Sequence, residues 1–214
     1  MTFAVVELGE ALAGMAQLVG LTNLVSEDFV GLRRSALDYS GWWSFDTTEA
    51  IARYVPLALS VDPFLDRCMS LDKLIIEGLS EGSLRLTLEA AGAPKSAIAK
   101  LRTLKLLDCL VRLTQLANTA ALSISEDGTV LWRRLAEEST VPVQPIEHLF
   151  ALRDVRLLKA HKASDREKRL QAGLERFGIA SGETAAGFGK ILDQIYDLLI
   201  DELREAAAKI TAAL

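Results

Sequence analysis

Two residues of this chain have types and spacing that could move a proton beside a phosphate. They are Arg156 and His161, in the stretch Leu149 to Asp165, "LFALRDVRLLKAHKASD". The chain has only two histidines. Histidine exchanges protons near neutral pH. Arginine stays charged and grips phosphate through paired donors. Arg156 and His161 are therefore a candidate reactive pair. Arg153, Lys159 and Lys162 are nearby cations that could meet a phosphate backbone. The plainer alternative is that all five are ordinary polar residues on a helix surface.

The local charge is consistent with either reading. From Arg153 to Arg176 there are eight Lys or Arg residues against four Asp or Glu, a net +4 in a chain of net −5. A basic patch in an acidic protein points to a phosphate-bearing partner. A solvated helix of mixed charge is its bland counterpart.

Geometry constrains the pair. Five residues along a straight helix rotate by about 140°, so Arg156 and His161 do not converge on one helical face. Either the helix ends near His161, or a second copy of the chain completes the site. Asp154 lies about 10 Å from His161 by helix rise, too far to orient it. Pairing with a nearby cation, or solvation, suits Asp154 better.

Arg156-Leu-Leu-Lys-Ala-His161 resembles the R-x4-H motif of HEPN-type ribonucleases. The resemblance covers roughly the last 120 residues, Pro94 to Ala213, by domain-size norms. The chain departs from many active members at Leu157, where they carry a polar residue. The resemblance implies an all-helical C-terminal core, metal-independent RNA cleavage and a homodimer that brings two motifs to one cleft. In that picture the 2′-hydroxyl of RNA attacks its own phosphodiester, His161 is the catalytic general acid/base, Arg156 binds phosphate, and Arg153, Lys159 and Lys162 contact the RNA backbone. The biological role implied is a toxin or defence effector. Many HEPN domains lack the motif and serve as binding or scaffold modules.

Other chemistry finds less footing. "GFGK" at Gly187 to Lys190 lacks the preceding strand and full spacing of a phosphate loop. His148, His161, Cys68 and Cys109 are too dispersed for a zinc site. Both cysteines sit among leucines and are expected to be free, buried thiols. No cofactor or metal is expected. Trp42-Trp43 could offer an aromatic platform, but plugging one end of a bundle is the commoner use. Arg33-Arg34 reads as surface charge.

Helical periodicity runs through most of the 214 residues, half of them apolar and a quarter charged. An all-α multi-helix bundle is expected, with a HEPN-like C-terminal core. A helical region 1–92 precedes a bundle 93–214, or the two form one continuous domain. Ser26 should cap a helix reaching about Tyr39. Pro94 should open one long helix to about Ala120. Asp127-Gly128 signals a turn, in a small hairpin or a loop before a short helix. "EESTVPVQP" is the clearest linker. The last helix should run from about Glu183 to Ala213, with a stripe from Phe188 to Ile210. Asp193, Asp197, Asp201, Glu202 and Glu205 fill its other faces. No Lys or Arg precedes Arg33, so a signal peptide lacks its basic start. No run is apolar enough to span a membrane, and a cytoplasmic protein is expected.

The leading functional expectation is thus a metal-independent endoribonuclease of HEPN type. The alternative is a non-enzymatic helical interaction module: a complex subunit, an adaptor or an antitoxin-like partner.

Overall fold

The computed structural model describes residues 1–40, 46–137, 146–160 and 163–214. The chain is all-α. Its helices are α1 (Thr2–Leu18), α2 (Arg34–Ser40), α3 (Asp46–Ala52), α4 (Val61–Ile75) and α5 (Glu81–Ala90). They are followed by α6 (Lys95–Ile98), α7 (Thr103–Ala120), α8 (Ile124–Glu137), α9 (Glu147–Leu157), α10 (Ala163–Glu175) and α11 (Gly189–Thr211). Among the described residues there is no strand, only an isolated bridge between Val30 and Leu79. No helix among them is long and apolar enough to cross a membrane.

The centre of the bundle is α1 lying along α11. Most of α1 is apolar, and it is buried from Ala4 to Ala16 apart from Glu7, Glu10 and Gly14. A helix apolar on nearly all sides belongs inside. On α11 the stripe Ile191, Leu192, Ile195, Leu199, Leu203, Ala206 and Ile210 is buried, as its three-and-four spacing requires. The α7 helix packs on α5, α8 and α11, and α4 packs on α3 and α9. The α10 helix packs on α9. Buried side chains from α1 to α11 form one cluster.

Several boundaries differ from the expected ones, each for a tertiary reason. Ser26–Asp28 is a single 3-10 turn, and a helix resumes only at Arg34. Between them the Phe29 carbonyl accepts the Ser80 N–H at 2.9 Å, and Val30 bridges Leu79. That pairing takes the backbone out of helix. The long helix after Pro94 is split into α6 and α7. Arg85 donates to the carbonyls of Ile98 and, at 2.9 Å, Leu101, so one guanidinium satisfies the freed acceptors.

Asp127-Gly128 makes no turn; both lie within α8. A Cβ on Gly128 would stand 2.4 Å from the Ala91 carbonyl oxygen, so glycine serves close packing there. "GFGK" has a similar explanation. Phe188 and Gly189 donate backbone N–H to Leu59 and Leu57 at 2.9 and 3.1 Å. A Cβ on Gly187, at φ +101, would lie 2.7 Å from Ala58 Cα. The segment Ser181–Ala186 is a 3-10 turn, so α11 begins at Gly189 rather than Glu183. The Trp42-Trp43 pair, residues 138–145 of the expected linker, His161 and Lys162 lie outside the described residues.

Candidate functional site

The R-x4-H segment sits where α9 ends. The helix stops at Leu157 and tightens into a 3-10 turn over Leu158–Ala160, before α10 begins at Ala163. The face of α9 and its turn that meets α4 carries the cations. The α4 face opposite carries the acids, Asp62, Asp66 and Asp72, with Glu77 just beyond the helix end.

Arg156 Nη1 bonds Asp72 Oδ2 and lies 2.6 Å from Glu77 Oε1. The Asp72 side chain is 0% exposed and that of Arg156 25%. Burial pushes the Asp72 carboxyl above its ordinary range, against the pull of Arg156. Its second oxygen, Oδ1, has no hydrogen-bond partner among the described residues. For Arg156, burial disfavours the charge, but Asp72 and Glu77 outweigh it and raise the guanidinium pKa. Lys159 pairs with Asp66, and Arg166 with Asp62. Arg176 pairs with Asp154 at 2.6 Å, the cation contact expected of that aspartate. Arg153 is partly buried, and its charge reaches Asp72. Arg156 and Lys159 thus both pair with acids on α4 or just beyond its end.

A cavity of about 760 Å³ opens beside α10, lined by Val61, Arg166, Lys168, Leu170, Thr184 and Phe188 among others. Arg156 is not one of its lining residues. No group of three or more His, Cys, Asp or Glu side chains suited to a metal ion occurs among the described residues. Cys68 is buried and Cys109 partly buried, both as free thiols. Burial raises both thiol pKa values, Cys109 to about 11.

One polar centre has no counterpart in the expectations from sequence. Glu202, assigned there to the solvated faces of α11, is 7% exposed. It accepts the backbone N–H groups of His148 and Leu149 at 2.8 and 2.9 Å, capping the N-terminus of α9. Glu202 Oε2 is also 2.7 Å from His148 Nδ1. Hydrogen bonding to Glu202 raises the His148 pKa, against its burial. The ring stacks on Phe177 with centroids 5.5 Å apart. A signal was present: Ile195, Leu199, Glu202 and Ala206 follow four-three-four spacing, which puts this acid in the apolar register.

No protein-family model matches the chain, and no curated protein or solved structure shows significant similarity to it.

Proposed function

We propose that this chain is a non-enzymatic all-helical interaction module in which the R-x4-H segment serves the fold. The observation that carries this is the pairing of Arg156 with Asp72 and Glu77. A phosphate oxygen at Arg156 would have to displace two carboxylates, one of them fully buried. With Lys159 and Arg166 also neutralised by α4, the basic run holds two parts of one bundle together. A helical chain of net charge −5 then suits docking to another protein better than binding RNA.

The endoribonuclease is the second reading, with His161 as acid/base, Arg156 on phosphate and Arg153, Lys159 and Lys162 along the backbone. One observation favours it. Because α9 ends at Leu157, the 140° separation of a straight helix does not apply to residues 156 and 161. It requires Arg156 to exchange carboxylates for phosphate, and the family resemblance implies that two copies pair at residues 145–165.

The deciding experiment incubates purified protein with total RNA, with and without EDTA, beside a His161→Ala control. The module reading expects intact RNA from both proteins. EDTA-resistant cleavage that leaves a 2′,3′-cyclic phosphate and is lost in His161→Ala would establish the ribonuclease instead.

A further inference from the structure

The surface between α3 and α11 is a groove of about 510 Å³. Its walls are Ile51, Tyr54, Val55, Leu192, Tyr196 and Ile200. Tyr54 stands 87% exposed at its edge. Tyrosine, with an apolar ring and a polar tip, is a common anchor at interfaces.

The α11 rim of the groove is acidic. Asp193 and Asp197 line it, and Asp201 continues the row one turn on. All three are exposed, and none has an ion pair among the described residues. Like charges four apart on a helix repel, so this row weakens α11 by itself. Two cations stand across from it among the described residues: Arg53, held by Glu49 at 2.7 Å, and Arg67, which donates to the Arg53 carbonyl at 3.0 Å and whose charge reaches Tyr196. A groove with aliphatic and aromatic walls beside an acidic row that makes no ion pair among the described residues fits a helix with one apolar face and basic flanks.

We propose that the α3/α11 groove docks a basic amphipathic helix of a partner protein. This deepens the interaction-module reading and rests on it. Tyr54 and Ile200 take the partner's apolar positions, and Asp193, Asp197 and Asp201 take its lysines or arginines. A second copy of this chain is a poor occupant. A two-fold contact through this face would set one aspartate row against the other, in a chain already at net −5.

The test uses the full chain and a short Leu/Lys peptide with leucines at helical spacing. A scrambled peptide of the same composition and a Leu/Glu version serve as controls. Affinity is read by fluorescence anisotropy across a salt series, and the site by hydrogen exchange. The expected result is binding of the Leu/Lys helix alone, with protection gained over 51–55 and 192–200. Tyr54→Ala should weaken it about tenfold. The triple variant Asp193→Asn, Asp197→Asn, Asp201→Asn should weaken it and flatten its salt dependence. Glu126→Gln with Glu175→Gln, exposed acids elsewhere, should leave it unchanged. All substituted side chains are exposed, so circular dichroism should report native folding. Equal binding by wild type, Tyr54→Ala and the triple variant would overturn the proposal. So would protection mapped elsewhere, or a dimer of the free chain that Tyr54→Ala dissociates. The RNA assay separates the two levels. EDTA-resistant, His161-dependent cleavage sinks the module reading, whereas intact RNA with no binding in the groove sinks this proposal alone.

Discussion

Arg156→Ala separates a structural arginine from a catalytic one. In the wild type Asp72 is wholly buried, with Arg156 on one oxygen and, among the described residues, no hydrogen-bond partner on the other. Removing the guanidinium leaves that carboxylate facing α9, with the charges of Arg153 and Glu77 still reaching it in opposite senses. Breaking a buried pair from one side costs about 3–5 kcal/mol. Arg156 is a quarter exposed and Asp72 can take up a proton, so the low end applies, about 3 kcal/mol. For a chain of this size that is a fall in Tm of about 6–12 °C. The pH dependence has a definite sign. Burial already holds the folded-state pKa of Asp72 above its unfolded value. Such a carboxyl favours folding at low pH and loses that contribution as pH rises through its folded pKa. Without Arg156 the folded pKa rises further, so the deficit should be larger near neutrality than in mild acid. Removing both charges with Asp72→Leu and Arg156→Met should recover most of the loss, since an apolar pair of similar volume is often neutral. Glu77 is half exposed and contributes little alone. The assay is urea unfolding followed by circular dichroism, for the wild type, Arg156→Ala and the double variant, at about pH 5 and about pH 7.5. An Arg156→Ala protein within about 0.5 kcal/mol of wild type at both pH values would refute the reasoning and free Arg156 for another role.

Glu202→Ala should cost about 2 kcal/mol by removing the charged cap of α9, read by urea unfolding. His148, with its pKa raised, should contribute stability that is complete below about pH 6.5 and fades as pH rises through the folded value; a His148→Asn deficit that does not shrink toward alkaline pH would contradict this. Gly128→Ala should destabilise by about 1–3 kcal/mol, because its Cβ has no room at Ala91; an unchanged Tm would refute that close approach. Ala121 ends α7 at φ +52, where an L side chain is strained, so Ala121→Gly should stabilise by about 0.5–1 kcal/mol, measured as a higher urea midpoint. Both thiols should resist a disulfide reagent in the native state at mildly alkaline pH and react at once in denaturant, since burial raises their pKa values.

What the sequence determined by itself was local. Three-and-four spacing marks which residues of α4, α7 and α11 face inward, and the stripe on α11 is buried where that spacing puts it. Asp72 and Glu202 were legible in the same way, because each acid falls in the apolar register of its helix, Asp72 between Cys68 and Ile75 and Glu202 between Leu199 and Ala206. A register shows that an acid is buried and is silent on what meets it. Arg156 and Asp72 are 84 positions apart, and Glu202 lies 54 from His148. Each pairing depends on which helix packs on which, and periodicity constrains only the face. The same limit explains the glycines. Gly128 and Gly187 carry turn and loop signals in the chain, and their reason is a second backbone within 3 Å of a missing Cβ. It also explains the basic run. Its charge is plain in the sequence, but a cation is available to phosphate only if no carboxylate reaches it first. The packing of α4 on α9 sets a carboxylate against Arg156, which the chain alone does not show, since ion pairing depends on distance in space and composition counts charges without placing them.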